Sequence, residues 1–497
     1  MRYRSTRGSD TAEGSAEAII RGIAGDGGLY VPEFIPKLTV DMGAAGDAPY
    51  RYFALEIIRS FFDDYTVEEL SACVDAAYDD KFERAEIAPV AEAGGAYFLE
   101  LYHGPTAAFK DMALAVMPRL LVTAMKKRNE DKRICVLTAT SGDTGKAALE
   151  GFADVPGTEI IVFYPNRGVS EVQERQMITQ EGANTHVFAI EGNFDDAQTG
   201  VKRIFNDHAL AERLACLGYR LSSANSINIG RLIPQVAYYV YSYAKLVRMG
   251  AVRAGDKINI AVPTGNFGNL LAAYYAKEMG LPVNRLICAS NKNKVLADFI
   301  NTGRYDVNRE FYLTNSPSMD ILVSSNLERL LYHLSGGDSE EIRRLMRSLD
   351  EDRAYEVGAA IKEGLTGFYG GFADVDSTNA AIGALYRDTG YLPDTHTAVA
   401  YKVFLDYKES TKDESVTLVA ATASPYKFAE SVARSIGLPE ENDGFEYINT
   451  LSRRTGIKIP KALAGLREKP VRHEAVIPIE GMPGAVEKIL AKQPAIW

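Results

Sequence analysis

Lys110 stands between a short apolar segment and a helical pattern, a position from which a lysine side chain can do chemistry. Residues 97–101 (YFLEL) have the length and composition of a strand, and Gly104-Pro105 ends it. Asp111 then opens a helical pattern that extends to about residue 128. A lysine held rigidly here and partly removed from water is favoured as the free amine, which suits a Schiff-base lysine. Taken alone, the position more often belongs to a solvated surface lysine.

Two glycine-containing loops each lie between a strand pattern and a helical pattern. In residues 265–269 (GNFGN), Gly265 and Gly268 allow a ligand to approach the backbone closely. Residues 140–146 (TSGDTGK) add the hydroxyl groups of Thr140, Ser141 and Thr144. Because the N–H groups at the start of a helix attract anions, each loop is a candidate site for a phosphate or a carboxylate. Considered singly, each loop is better explained as a tight turn that binds nothing.

Neither loop matches the phosphate-binding loops of nucleotide enzymes. The second loop has Thr140 where a Walker loop needs its first glycine, and Ala147 where the magnesium-binding Ser or Thr belongs. Neither loop has the G-x-G-x-x-G spacing of a dinucleotide site. An enzyme acting on nucleotide phosphates is therefore a distant alternative.

The elements that position these residues alternate between short apolar strands and helices, which predicts parallel sheets covered on both faces. Ligands then bind at the carboxyl ends of the strands, where both glycine loops lie. Residues 1–90 are helical and acidic and are expected to form a separate domain. A catalytic region is expected at 91–430, with a smaller αβ part at about 130–250 and a helical insertion at about 291–390. Residues 431–497 are expected to pack on the larger part.

Composition excludes several classes of function. The 497 residues carry 55 basic and 66 acidic side chains, a net charge of −11, which argues against nucleic acid or an anionic membrane as main partner. Four widely spaced cysteines without C-x-x-C indicate reduced thiols and a cytoplasmic location. The six histidines form no H-E-x-x-H cluster, so no catalytic metal is expected. We expect no signal peptide, and we expect no membrane span because no apolar run reaches about 18 residues.

Read in order, the motifs resemble those of the threonine synthase family, which comprises pyridoxal-phosphate enzymes of fold type II. The resemblance covers nearly the whole chain and includes YRSTR (3–7), DGGLYVP (26–32), HGPTAAFKD (103–111), TSGDTGK (140–146), NSINIGR (225–231), GNFGN (265–269), DTHTA (394–398) and TASPYKF (422–428). The long amino-terminal segment is like that of the bacterial and fungal branch. The resemblance implies an α/β fold similar to the tryptophan synthase β subunit. It comprises two parallel-sheet αβα domains and an N-terminal helical domain.

The resemblance also implies the cofactor site. Lys110 would hold pyridoxal phosphate as a Schiff base and later move protons on the substrate. The cofactor phosphate would bind to Gly265, Asn266, Phe267, Gly268 and Asn269. Thr422, or Ser424, would contact the pyridine nitrogen, where a hydroxyl leaves that nitrogen less firmly protonated than a carboxylate would.

The implied reaction converts O-phospho-L-homoserine and water to L-threonine and phosphate by γ-elimination and β-addition of water, the last step of threonine biosynthesis. The substrate α-carboxylate would bind to Ser141, Asp143 and Thr144, with Asp143 orienting the loop because one carboxylate cannot accept another. The substrate phosphate would bind to Asn225, Ser226 and Arg231, since a guanidinium suits phosphate. On spacing alone, Arg231 is more often a surface salt-bridge residue. The resembled branch suggests a monomer.

Two other functions stay open. A related pyridoxal-phosphate lyase would release phosphate from the same motifs but form 2-oxobutanoate and ammonia. A relative without turnover would act as a ligand-binding or signalling module, although the intact Lys110 argues against it because a binder needs no Schiff base. Lys146 and Lys427 are further cations without an assigned role. His103 and His396 are expected to pack near the site.

Overall fold

The structure is a computed structural model that describes residues 1–167 and 169–492, without the side chain of Asp195. The last five residues of the predicted C-terminal segment therefore lie outside the described residues. Two largely parallel sheets form its centre, one of six strands and one of five. The predicted α/β class with parallel sheets is confirmed.

The amino-terminal part begins with a small antiparallel sheet, in which β1 lies between β2 and β3. Its elements are β1 (Tyr3–Ser5), β2 (Thr11–Ala12), α1 (Ser15–Arg21), β3 (Tyr30–Pro32), α2 (Tyr50–Phe61) and α3 (Val67–Ala77). The prediction that this region is helical is therefore only partly correct, because the region also contains a three-stranded sheet. The aromatic rings of Tyr50 and Phe53 on α2 pack edge-on against Tyr241, which joins this part to the rest of the core.

The five-stranded sheet has the order β16-β8-β7-β6-β9, with every pair parallel. Two strands and two helices precede it: β4 (Val90–Ala93), β5 (Ala96–Glu100), α4 (Asp111–Leu114) and α5 (Met117–Lys127). The sheet and its helices comprise β6 (Arg133–Ala139), α6 (Asp143–Phe152), β7 (Thr158–Pro165), α7 (Glu171–Ile178), β8 (Thr185–Ile190), α8 (Phe194–Asn206), α9 (His208–Cys216) and β9 (Tyr219–Ser223). All eight residues of β7 are buried, as expected for a strand covered by helices on both faces.

The six-stranded sheet has the order β14-β11-β10-β15-β5-β4, and only the β4–β5 pair is antiparallel. The elements that follow β9 are α10 (Ile229–Leu232), α11 (Pro234–Arg248), β10 (Ile258–Pro263), α12 (Gly268–Met279), β11 (Val283–Ser290), α13 (Val295–Thr302), β12 (Arg304–Asp306), α14 (Leu327–Leu334), α15 (Ser339–Glu351), β13 (Ala354–Glu356), α16 (Ala359–Leu365), β14 (Phe368–Phe372), α17 (Val375–Thr389), α18 (Thr395–Thr411) and β15 (Thr417–Ala421). The predicted insertion at about 291–390 is mostly helical, but it also supplies β14 to the edge of this sheet.

The C-terminal segment packs on the larger part, as predicted, only over its first half, where residues 445–466 share an apolar cluster with α17 and α18. It contains α19 (Ala429–Ser435), α20 (Gly444–Thr455), β16 (Val476–Ile477) and α21 (Met482–Lys492). Strand β16 extends the smaller sheet by pairing with β8. Met482, Val486 and Leu490 on α21 share an apolar cluster with Ala197 and Val201 on α8. The end of the chain thus covers the smaller sheet, because an unpaired strand edge and an apolar helix face both needed a partner.

Within residues 1–167 and 169–492, no helix combines the length and the apolar character that a membrane span requires. The same residues contain no group of three or more His, Cys, Asp or Glu side chains that could hold a metal ion.

The amino-terminal strand is tied to helix α14 by an ion pair. The guanidinium of Arg7 donates to both carboxylate oxygens of Glu328 at 3.1 and 3.0 Å, and the Glu328 side chain is only 7% exposed. The hydroxyl of Thr6 donates to the same carboxylate at 2.5 Å. Removing Arg7 would leave a buried carboxylate without its cation, which is costly.

We therefore expect Arg7→Met to lower the free energy of unfolding by about 2 kcal/mol. The control is Arg4→Met, because the Arg4–Glu33 pair is exposed at both side chains, and a change within about 0.5 kcal/mol is expected there. Urea unfolding followed by circular dichroism measures both values. Equal losses in the two variants would show that the buried pair does not stabilise the fold.

Candidate active site

The amine of Lys110 lies in the interior, at the carboxyl ends of strands from both sheets. The residue is 8% exposed, and its Nζ lies 3.3 Å from the hydroxyl of Ser318 and 3.6 Å from Oδ2 of Asp143. Burial lowers the pKa of Lys110 to about 8; the Asp143 carboxylate opposes this change, and the cations Arg231 and Lys427 reinforce it. About a tenth of this lysine is therefore the free amine at pH 7, far more than for a lysine with the ordinary pKa.

The backbone that carries Lys110 is anchored to the end of β15. The N–H of Phe109 donates to the carbonyl of Thr422 at 2.8 Å, and the N–H of Ser424 donates to the carbonyl of Ala107 at 3.1 Å. Ala107 adopts a left-handed conformation with φ 58°, which turns the chain into helix α4. The lysine is thus positioned by the turn that follows β5, and hydrogen bonds to the end of the neighbouring strand β15 hold that turn in place.

The loop 265–269 connects β10 to α12 through a tight turn. Phe267 has φ 63°, and helix α12 begins directly after it at Gly268. The N–H groups of the first helical turn have no partner within the helix, so they are available to an anion. At Gly265, a Cβ atom would lie 2.6 Å from the backbone oxygen of Ser318, so no side chain fits there.

Asn269 adds an oriented donor to this loop. Its Oδ1 accepts hydrogen bonds from the hydroxyls of Tyr238 and Tyr239 at 2.6 and 2.5 Å. That arrangement leaves Nδ2 buried and without a hydrogen-bond partner among the described residues. Because an unpaired buried donor costs about 1–3 kcal/mol, the site fits a ligand that brings an acceptor.

The loop 140–146 is built around the side chain of Thr140. Its hydroxyl oxygen accepts from the N–H of Gly142 at 3.0 Å and from the N–H of Gly145 at 2.9 Å. Ser141 and Thr144 are partly buried at the start of α6, and their hydroxyls have no hydrogen-bond partner within the described part of the chain. Both hydroxyls can therefore donate to a ligand.

Asp143 does not have the role expected from the sequence. Its carboxylate does not orient its own loop but contacts four other segments: the amine of Lys427 at 2.7 Å, the side-chain amide of Gln173 at 2.9 Å, the hydroxyl of Ser318 at 3.3 Å and the amine of Lys110. A carboxylate held this way neighbours the reactive amine and is not a binding group for a substrate carboxylate.

Arg231 is buried, so the surface salt-bridge interpretation is wrong. The residue is 5% exposed and its Nη1 donates to the carbonyl of Ala224 at 2.7 Å. Its Nε is buried without a partner among the described residues. Burial lowers the pKa of Arg231 to about 10, which still leaves it charged at neutral pH. A charged group with a free donor in the interior suits an anionic ligand.

The remaining residues predicted for substrate phosphate lie in the same loop. Ser226 is partly buried, and its hydroxyl oxygen accepts from Nδ2 of Asn326 at 2.9 Å. Asn225 is also partly buried, with a side chain that has no hydrogen-bond partner in the described ranges. Asn326 donates to the carbonyl of Asn266 at 3.1 Å as well, so it connects this loop to the loop 265–269.

Sequence reasoning missed Ser318 and Asn326, because both lie in the stretch interpreted as an insertion. Ser318 sits in a 3₁₀ turn (Pro317–Met319) over Lys110. Its N–H donates to Nε2 of His396 at 3.2 Å, and Nδ1 of His396 lies 2.8 Å from Asp394. The available signal was Pro317 between two serines, which marks a turn within an otherwise helical pattern.

The structure separates the two hydroxyls proposed for the ring nitrogen. Ser424 uses its hydroxyl oxygen to accept from the N–H of Tyr426 at 3.3 Å, at the start of the 3₁₀ turn Pro425–Phe428. Thr422 is 5% exposed, and its hydroxyl has no hydrogen-bond partner among the residues described. The hydroxyl oxygen of Ser424 thus caps a helical turn, whereas the hydroxyl of Thr422 is free, within the described part of the chain, both to accept and to donate.

Three family models match the chain in succession. They are "Threonine synthase N terminus" over residues 2–78, "Pyridoxal-phosphate dependent enzyme" over residues 87–361, and "Threonine synthase, C-terminal" over residues 397–488.

Named relatives agree with these models. The threonine synthase of Pseudomonas aeruginosa is 38% identical over 88% of this chain and 90% of its own length. Human threonine synthase-like 1 is 39% identical over 86% of this chain, which spans only 58% of that longer protein. The crystal structure of pyridoxal-phosphate-bound threonine synthase from Brucella melitensis is 34% identical, with a TM-score of 0.86 over 99% of this chain and 98% of that one. These matches confirm the predicted fold type II.

The residues present fit pyridoxal phosphate. The site offers a buried amine for an aldehyde, unpartnered N–H donors at a helix start for a phosphate, and a free hydroxyl at the end of β15 for a ring nitrogen. These groups come from elements far apart in sequence, yet all of them lie at the carboxyl ends of β5, β10 and β15, which neighbour one another in the larger sheet.

We expect Gly265→Ala to weaken pyridoxal phosphate binding. The new methyl would meet the backbone oxygen of Ser318 and push the loop away from Lys110. Overpacking of about 1–3 kcal/mol corresponds to a dissociation constant raised roughly tenfold or more. Fluorescence titration of the cofactor-free protein measures this constant.

The matched control for this loop variant is Gly484→Ala. Gly484 is exposed on α21, and a Cβ atom there has no neighbour within 4 Å. The dissociation constant of pyridoxal phosphate in Gly484→Ala should equal that of the unchanged protein. Equal constants in both variants would mean that the loop 265–269 does not approach the cofactor.

Proposed function

Since the chain belongs to the threonine synthase family of pyridoxal-phosphate enzymes, we propose that it converts O-phospho-L-homoserine and water to L-threonine and phosphate. The reaction is a γ-elimination of phosphate followed by β-addition of water. One observation carries the proposal: the buried amine of Lys110 shares its site with two further groups of anion donors, at 140–146 and 225–231. A substrate with an anionic group at each end matches that pair of loops.

The cofactor would be held by residues of the larger sheet. Lys110 would bind its aldehyde carbon, the donors of 265–269 would bind its phosphate, and Thr422 would contact its ring nitrogen. When bound, pyridoxal phosphate supplies an electron sink that stabilises negative charge at the α-carbon of an amino acid. The loops on the other side of the cleft then determine which amino acid is bound.

The two ends of the substrate would bind to different loops. The hydroxyls of Ser141 and Thr144, with the N–H groups at the start of α6, would bind the α-carboxylate. Arg231, Ser226 and Asn225 would bind the phosphate. Asp143 leaves the set of substrate ligands, because Lys427 and Gln173 already occupy its carboxylate.

Lys110 is suited to moving the protons of this reaction. An amine whose pKa lies at about 8 is free often enough near neutral pH to take a proton from carbon and to return it. Arg231 would stabilise the negative charge that grows on the phosphate as it leaves, and its fixed position in the interior costs no reorganisation at that moment.

A partner subunit is not required by the proposed site, since every group named above comes from one chain. We propose a small-molecule substrate and a monomer on that ground. A cytoplasmic location is proposed from the cysteines, since Cys73, Cys135, Cys216 and Cys288 are all free.

The proposed function is tested by incubating the purified protein with O-phospho-L-homoserine and measuring phosphate, threonine and 2-oxobutanoate together. Equal amounts of threonine and phosphate are expected, and Lys110→Ala should abolish both because no other amine replaces it. Lys132→Ala, at an exposed position, is the control and should keep full activity. Phosphate with 2-oxobutanoate would assign the related lyase reaction, and no phosphate would contradict both.

Arg231→Met separates substrate binding from cofactor binding. We expect kcat/KM to fall by about 10²–10³, as for the loss of one group that stabilises developing charge. The dissociation constant of pyridoxal phosphate should stay within about twofold when it is measured at about pH 9, where Lys110 is largely a free amine, because a different loop holds the cofactor.

The control for Arg231 is Arg220→Met, since Arg220 forms an exposed pair with Glu130 and should leave both constants unchanged. Steady-state kinetics and fluorescence titration give the two values. Unchanged turnover in Arg231→Met would remove Arg231 from the phosphate site.

A further inference from the structure

We propose that Lys427 is a positioning residue for Lys110: by holding the carboxylate of Asp143, it prevents that carboxylate from fixing Lys110 as an ammonium ion. This inference deepens the proposed function and rests on it, because it concerns the amine that the function requires. Neither the family match nor the sequence motifs assign a role to Lys427.

The geometry places Lys427 nearer to Asp143 than Lys110 is. Nζ of Lys427 lies 2.7 Å from Oδ1 of Asp143, whereas Nζ of Lys110 lies 3.6 Å from Oδ2. Lys427 is 1% exposed, and its amine also donates to the carbonyl of Thr106 at 3.1 Å. Two acceptors and full burial fix this cation in one place, so it is not a mobile surface charge.

Asp143 is held on both of its oxygens. Oδ1 accepts from Lys427 and from Gln173, and Oδ2 accepts from the hydroxyl of Ser318 at 3.3 Å. Although burial alone would raise the pKa of Asp143, the ammonium groups of Lys427 and Lys110 hold that pKa far below its usual range. The carboxylate therefore stays ionised, and its charge is shared between two lysines.

The charges around Lys110 show why this sharing matters. Asp143 on α6 faces it as an anion, Arg231 on α10 and Lys427 in the turn Pro425–Phe428 face it as cations, and His396 lies behind Ser318. Asp111 is adjacent in the chain, but its carboxylate accepts from the N–H and hydroxyl of Thr106 at 2.8 and 2.6 Å. Without Lys427, the full charge of Asp143 would act on Lys110 and favour its ammonium form.

A structural role for Lys427 and a positioning role predict different results. The informative variants are Lys427→Met, which removes the charge, and Lys427→Gln, which removes the charge but keeps a donor for Asp143 and Thr106. Lys427→Arg keeps the charge. The control is Lys127→Met, since Lys127, the last residue of α5, forms a lysine–carboxylate pair with Glu69 of α3 at 2.9 Å.

The measurement is the rate at which the full chain, freed of cofactor, captures added pyridoxal phosphate, followed by absorbance from pH 6 to 11. In the unchanged protein this rate should rise with pH through a midpoint near 8, the pKa of Lys110. In Lys427→Met and Lys427→Gln we expect the midpoint to move up by about one unit or more, so that capture at pH 7 slows roughly tenfold. The rate at high pH should be retained.

Lys427→Arg and Lys127→Met should keep the midpoint of the unchanged protein. A lower rate at every pH with an unmoved midpoint would show that Lys427 only supports the fold, and it would overturn the proposal. Should Lys427→Met not fold, Lys427→Gln alone decides between the two results.

Failure of the proposed function gives a different result, because the experiment contains no substrate. If the protein makes no threonine but the midpoint moves as expected, the role of Lys427 is supported and the proposed function is contradicted. If the protein captures no pyridoxal phosphate at Lys110, both are contradicted.

Discussion

The carboxylate of Asp143 lies between the amines of Lys110 and Lys427, inside a protein interior that disfavours unpaired charge. One buried anion facing several buried cations is an unusual arrangement, because each charge must be compensated or shared. Here the sharing has a chemical consequence. Lys110 lies close enough to the carboxylate to be oriented, but that carboxylate is already bound by another cation. The rest of the structure can be understood as the support that keeps these groups in place and out of water.

That support comes from the arrangement of the two sheets. Strands β5, β10 and β15 of the larger sheet and β6 and β9 of the smaller sheet each end at a segment that contributes to the site. The amino-terminal part supports one of these segments, the loop 225–231. The fully buried Arg329 donates to the carbonyls of Tyr30, Ser226 and Ile227 and to the side chain of Asn326. Arg329 on α14 therefore links the amino-terminal part, at Tyr30, to the loop that is proposed to bind the substrate phosphate.

The parts of the site that the sequence predicted are local. Lys110 and the loops 140–146 and 265–269 each belong to a strand, a turn and a helix that follow one another, so periodicity and glycine positions identify them. The family resemblance added Arg231 and Thr422, and it is borne out as a family assignment. Whether each of these residues has its implied role stays a proposal.

The parts that the sequence did not predict depend on long-range packing. Ser318 enters the site only because a 3₁₀ turn within a charged, mostly helical stretch folds back over Lys110. Lys427 belongs to the site only because it contacts Asp143, which lies at the start of α6 and far away in the chain. Residues 476–492 cover the smaller sheet because β8 would otherwise have a free edge there, and no local sequence pattern shows that edge. Burial of Arg231 likewise depends on the whole fold.

The central claim is that the amine of Lys110, and no other, is the reactive one. The direct measurement is to load the purified protein with pyridoxal phosphate, reduce it with borohydride, digest it and locate the modified lysine by mass spectrometry. The structure predicts one pyridoxyl group per chain, on the peptide that contains Lys110. A label on Lys427 or on an exposed lysine in place of Lys110, or the absence of any label, would contradict the account.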